Sequence, residues 1–207
     1  MAKGRGAKPR QNLSCCIKRA TTLPKAAHPK ATDSSMTALT PDHLYGPLRQ
    51  ASNVNTWEAT HSPLSLTELN SASGAALQAL LVPAKHCLFS HATRAMLLIW
   101  VMDEDCQVWI AVEEFSPHEK PGIAGFPRLE KFNEKKLGHP TLCPGKPVRI
   151  AGELFLDETE DGELKWFLNV SSGRFCKETS PTRQQTLAVL ELFKKEMGTC
   201  IELDPEP

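Results

Sequence analysis

The fold is decided by residues 138–175, GHPTLCPGKPVRIAGELFLDETEDGELKWFLNVSSGRF. Pro147 to Leu156 (PVRIAGELFL) reads as a strand, and Asp157 to Gly162 has the acidic, glycine-ended composition of a loop. Glu163 to Val170 (ELKWFLNV) returns antiparallel, and Ser171-Ser172-Gly173 is a turn. Upstream, RAMLLIWVM at 94–102 is a near-continuous apolar run, as expected of a central strand covered on both faces. Asp103-Glu104-Asp105 supplies the turn and CQVWIAV at 106–112 the second arm of a hairpin. Residues 86–90 read as a further strand.

Helices flank these hairpins. Thr40-Pro41-Asp42 opens a short one, with Thr40 as cap and Pro41 at the first helical position. Ser65 with Glu68 fits a capping box, and Leu77, Leu80 and Leu81 give an apolar face ending near Pro83. Ser180-Pro181 starts a last helix with an apolar face at Leu187, Leu190 and Phe193, stopped by Gly198. Cys200, Ile201 and Leu203 form a short final strand. Together these elements specify an α+β fold over residues 36–207: a single domain with an antiparallel sheet of two hairpins and helices packed on it. Residues 113–137 form a long polar connection.

The charge pattern separates residues 1–35. The chain of 207 residues has 24 basic and 24 acidic side chains, but eight of the basic ones and none of the acidic ones fall in the first 30. Residues 31–207 therefore hold 16 basic against 24 acidic residues, which argues against the body gripping nucleic acid. The arm has few large apolar groups and is predicted to be disordered. It reads either as loose chain or as an address, such as a non-cleaved bacterial export signal. The seven cysteines show no CxxC and no metal-ligand spacing, which points to reduced thiols and a cytosolic destination. No stretch reaches the ~18 consecutive apolar residues of a membrane span.

Candidate chemistry concentrates in 138–175. His139 lies between Gly and Pro on irregular backbone, where binding and catalytic groups gather. Thr141 and Lys146 add a hydroxyl and a cation for a phosphate or carboxylate. Glu153 follows Ala151-Gly152, a small pair that admits close approach of another backbone or a ligand. Arg149 shares its face by alternation and is a candidate ion-pair partner. Asn169 and Ser172 offer short hydrogen bonds beside a strand end, and Arg174 reaches toward a phosphate. A Cys143–His139 nucleophile is an alternative resting on four-residue spacing alone.

Residues 95–203 also carry IWVMDED (99–105), HPT (139–141), GKPV (145–148), AGEL (151–154) and SGRF (172–175) in order. This series resembles the C-terminal domain of plant calmodulin-binding IQ-motif proteins and its relatives in bacterial effectors and polymorphic toxins. Pro140-Thr141 stand where that family has two serines, and Arg174-Phe175 where it has His-Tyr. The resemblance implies an effector or toxin, with a calmodulin-like activator as an implied partner. The acid-free N-terminus fits delivery by a bacterial secretion system into a target-cell cytosol; a cytoplasmic protein is the alternative. The expected function is group transfer to a host protein, of the ADP-ribosyl kind with NAD as donor. In it His139 and Ser172 position the nucleotide, Lys146 and Arg174 hold phosphates, and Glu153 stabilises an oxocarbenium-like state. The alternative is a non-catalytic module that binds a host or partner protein.

Overall fold

The computed structural model describes residues 39–115, 136–176 and 180–205. The arm at 1–35 and most of the connection at 113–137 lie outside them. Along the described residues the order is α1 (Pro41–Tyr45), α2 (Thr56–Thr60), β1 (Thr67–Glu68), α3 (Ser71–Ala84), α4 (Cys87–Arg94), β2 (Leu98–Met102), β3 (Val108–Val112), a 3-10 turn at His139–Thr141, β4 (Ile150–Glu158), β5 (Leu164–Leu168), α5 (Arg183–Met197), a 3-10 turn at Gly198–Cys200 and β6 (Ile201–Leu203). The sheet runs β1-β3-β2-β4-β5-β6. The expected hairpins are β2–β3 and β4–β5, and they join through an antiparallel β2–β4 pairing in which Trp100 faces Gly152. Among the described strands only β5–β6 pair in parallel, because α5 carries the chain back before β6 enters.

All five β2 side chains are buried, as an apolar run covered on both faces requires. On one face Trp100, Ile150, Leu154 and Trp166 pack against Leu77 of α3 and Val189 and Phe193 of α5. Trp100 and Phe193 meet edge-on at 5.4 Å, and Trp166 Nε1 donates to the Leu77 carbonyl at 2.9 Å, satisfying the indole that the core would otherwise strand. On the other face Ile99, Val101 and Ala151 are covered, among the described residues, by Leu142, Cys143, Val148 and Phe175 of irregular segments. Burying each of the large side chains stabilises the fold by about 1.5–3 kcal/mol.

Three local expectations are corrected. Residues 86–90 belong to a helical stretch rather than a strand, since His86 donates its N–H to the Pro83 carbonyl and Ser90 to that of His86. A run so short has no periodicity to separate the two. Ser65 and Glu68 do not cap α3: Glu68 is in β1, and the cap is Asn70, whose side chain accepts from Ala72 N and Ser73 N. Ser65 instead bonds the buried Glu114 carboxylate. The cap of α5 is Thr182, accepting from Gln185 N, so Pro181 precedes the helix. No described helix is long and apolar enough to cross a membrane.

Two close approaches fix the layers. A Cβ on Gly74 would lie 2.3 Å from the Glu196 carbonyl oxygen, which sets how closely α3 and α5 pack. At Gly152 it would lie 2.0 Å from the Asn169 carbonyl oxygen, the close backbone approach that the Ala-Gly pair anticipates. Gly152→Ala is therefore expected to cost about 3 kcal/mol or to prevent folding. Gly173, with nothing within 4 Å of its Cβ direction, should tolerate alanine within about 0.5 kcal/mol. Urea unfolding of both variants checks this; equal costs would contradict it.

Candidate functional site

The site forms where the 136–141 segment crosses the sheet face at β4. The His139–Thr141 turn is closed by the Thr141 hydroxyl donating to the Gly138 carbonyl at 2.7 Å. It buries His139, whose Nε2 lies 2.8 Å from the Gly152 carbonyl oxygen. A carbonyl only accepts, so Nε2 carries the proton and Nδ1 keeps its lone pair. Burial pushes the ring pKa down to about 4; the Gly152 bond and Glu113 oppose this, while Lys136 and Arg174 reinforce it. At neutral pH His139 is thus an uncharged hydrogen-bond acceptor.

The next β4 residue after Gly152 is Glu153. Asn169 holds it twice, with Oδ1 accepting from the Glu153 N–H at 3.0 Å and Nδ2 donating to the carboxylate at 3.3 Å. Among the described residues no cation pairs with Glu153. Arg174 approaches from the other side. Its guanidinium donates to the Asn53 carbonyl and to both oxygens of Glu58, at 3.1 and 3.3 Å. Glu58 is fully buried in α2 and also accepts from the N–H and Nδ2 of Asn55, each at 2.8 Å. Trp57 Nε1, one residue earlier, donates to the Lys136 carbonyl at 3.2 Å. Lys136 in turn pairs with Glu113, just past β3, at 2.8 Å. Glu113, Lys136, Gly138, His139, Glu153, Gly173 and Arg174 enclose a cavity of about 280 Å³. A larger groove of about 870 Å³ lies beyond Gly173, lined by Asn169, Ser171, Ser172, Arg183 and Thr186 among others.

Of the residues anticipated from sequence, His139, Glu153 and Arg174 line one cavity, with Asn169 orienting Glu153. The others lie elsewhere. Lys146 is exposed on the turn that follows Cys143, outside the cavity. Thr141 is buried and committed to its own turn. Arg149 does not pair with Glu153. The alternation breaks just before β4, where Val148 joins Ala151 in one cluster, and Arg149 reaches Asp42 and the carbonyls of Gly46 and Glu104. Ser172 lines the groove rather than the cavity, and its buried hydroxyl has no hydrogen-bond partner among the described residues. Cys143 packs in the second core cluster with its thiol pushed up to about 11 by burial, which removes the thiolate that a nucleophile needs. Glu58, Glu113 and Lys136 were not anticipated. The available signals were Asn55–Glu58 at capping-box spacing and two acids directly after an apolar strand.

No family model matches the sequence, and neither a curated protein nor a solved structure is significantly similar to it.

Two predictions follow from these pairings. Glu58→Gln leaves the Arg174 guanidinium without its buried counter-ion and should cost about 3 kcal/mol. Because Arg174→Met removes the same pair, the double variant should cost clearly less than the two single costs added; simple additivity would refute the coupling. The second concerns acid. His139 takes up its proton near ~6.5 in the unfolded chain but only near about 4 when folded. Its contribution is complete above the higher value and is lost as pH falls toward the lower, by about 3 kcal/mol. His139→Gln should flatten the stability profile between these pH values; identical profiles would contradict the assignment.

Proposed function

We propose that the chain is a group-transfer enzyme, a bacterial effector or toxin that moves an ADP-ribosyl-type group from NAD to a protein inside a target cell. The observation that carries this reading is Glu153, a cavity carboxylate with no cation of its own beside a histidine that stays neutral. In such a transfer the glycosidic bond to nicotinamide breaks and its electron pair leaves with the base. C1′ gains cationic character, the acceptor's lone pair forms the new bond, and the acceptor's proton passes to solvent. A carboxylate held in place by Asn169 is suited to stabilise that positive charge. The cavity, at about 280 Å³, is sized for the reacting end and an acceptor group rather than a whole dinucleotide. The neighbouring groove shares Gly173 with it and offers room for the nucleotide. The acid-free first 30 residues and the resemblance to effector domains support delivery from a bacterium.

A non-catalytic interaction module is the second reading, and one observation favours it. Both cations lining the cavity already face carboxylates, Lys136 with Glu113 and Arg174 with Glu58. Lys146 and Arg149, expected to help hold phosphates or a ligand, point elsewhere. On this reading a partner docks at the cavity rim and no product forms.

The deciding experiment incubates the full chain with NAD and target-cell lysate and follows protein masses. A discrete gain on one lysate protein is expected, lowered about 100-fold or more by Glu153→Gln. Absence of any gain, with a lysate protein co-purifying equally with both forms, would overturn the transfer reading in favour of the module.

A further inference from the structure

The cavity wall carries two carboxylates, Glu113 and Glu153, and two cations, Lys136 and Arg174. Lys136 pairs with Glu113, and Arg174 with Glu58, which is fully buried and does not line the cavity. Among the described residues that leaves Glu153 as the lining carboxylate without a cation. Among the described residues its carboxylate takes one hydrogen bond, a long one from the neutral Asn169 amide, which leaves the second carboxylate oxygen for a ligand. Next to it, His139 is 7% exposed and lines the same cavity. Its Nε2 is occupied by the Gly152 carbonyl, and Nδ1 has no hydrogen-bond partner among the described residues. An acceptor on a cavity wall with its lone pair uncommitted can take a donor from a ligand.

We propose that the cavity takes a guanidinium group, the side chain of an arginine on the protein that receives the transferred group. Its role as acceptor rests on the transfer reading above; its binding does not. A guanidinium is planar, always charged, and carries five N–H donors in a rigid fork and no acceptor. That matches two neighbouring acceptors, one of them anionic, with no unpaired donor to satisfy. The cavity volume also suits one side chain with its aliphatic stem. An ammonium is a compact, strongly hydrated point charge without the planar fork of a guanidinium. An anionic group would meet Glu153 and a lone pair on His139, which repel it.

The test uses the full chain and Nα-acetyl-L-arginine amide, followed by calorimetric titration. Saturable binding is expected, at least tenfold weaker for the uncharged citrulline analogue and for the lysine analogue. Glu153→Gln should weaken arginine binding at least tenfold while Lys146→Gln, remote from the cavity, leaves it unchanged. Equal binding of arginine and citrulline analogues would overturn the proposal, as would equal binding of arginine and lysine analogues. Saturable arginine binding without NAD-dependent modification would remove the transfer reading and keep this one. Modification at a non-arginine side chain, without arginine binding, would do the reverse.

Discussion

The contact between the Gly152 backbone and the Asn169 carbonyl governs this end of the molecule. With no room for a Cβ between them, β4 and the chain leaving β5 approach as closely as two backbones can. That closeness brings the Asn169 side chain onto both the N–H and the carboxylate of Glu153. It also sets the Gly152 carbonyl where the buried His139 ring can donate to it. One glycine thus holds the Glu153 carboxylate on the next residue of β4 and receives the His139 imidazole from its 3-10 turn, on a sheet whose opposite face is packed by Trp100, Trp166 and Phe193. Side chains held by strands and packed backbone keep their geometry better than side chains on free loops.

Around that contact the chain distributes buried charge with care. Burying an ion costs several kcal/mol unless a partner and hydrogen bonds compensate it. Glu114 is compensated by the Leu64 and Ser65 N–H groups and the Ser65 hydroxyl, and serves to fasten the segment before β1 to the end of β3. Glu58 is compensated by Asn55 and Arg174, and so fastens α2 to the turn after β5. These two acids are structural clamps. Glu153 is different: it is half-exposed, faces a cavity and has no such compensation. The functional proposals rest on that contrast between satisfied and open carboxylates.

Much of the architecture was legible because its signals are local. The apolar run through Leu98–Met102, the acidic turn at Asp103, and the ELKWFL return each point to one structure on their own. The turn is indeed built by Asp103 Oδ1 accepting from Asp105 N and Gln107 N. β1 and α4 were misread because two and eight residues with mixed composition take their state from what they pack on. His139, Glu153 and Arg174 stood out because each is a polar group beside glycine in an otherwise apolar context. Lys146 and Arg149 were drawn in by proximity in sequence, although a turn and a break in alternation send them away. Glu58 lies far from that stretch and Lys136 just ahead of it, and only the tertiary pairing of α2 with the turns at 138 and 174 reveals their part in the site.

The most direct test of the site is the state of the His139 ring, since the cavity is assembled on its bond to Gly152. Nitrogen-15 NMR of histidine-labelled protein reads the tautomer and its titration. The expected spectrum has a proton on Nε2 and a lone pair on Nδ1, unchanged as pH falls to about 5 and lost only near about 4. A ring protonated on Nδ1, or one titrating near ~6.5 as in an open loop, would contradict the burial, the Gly152 bond and the open acceptor together.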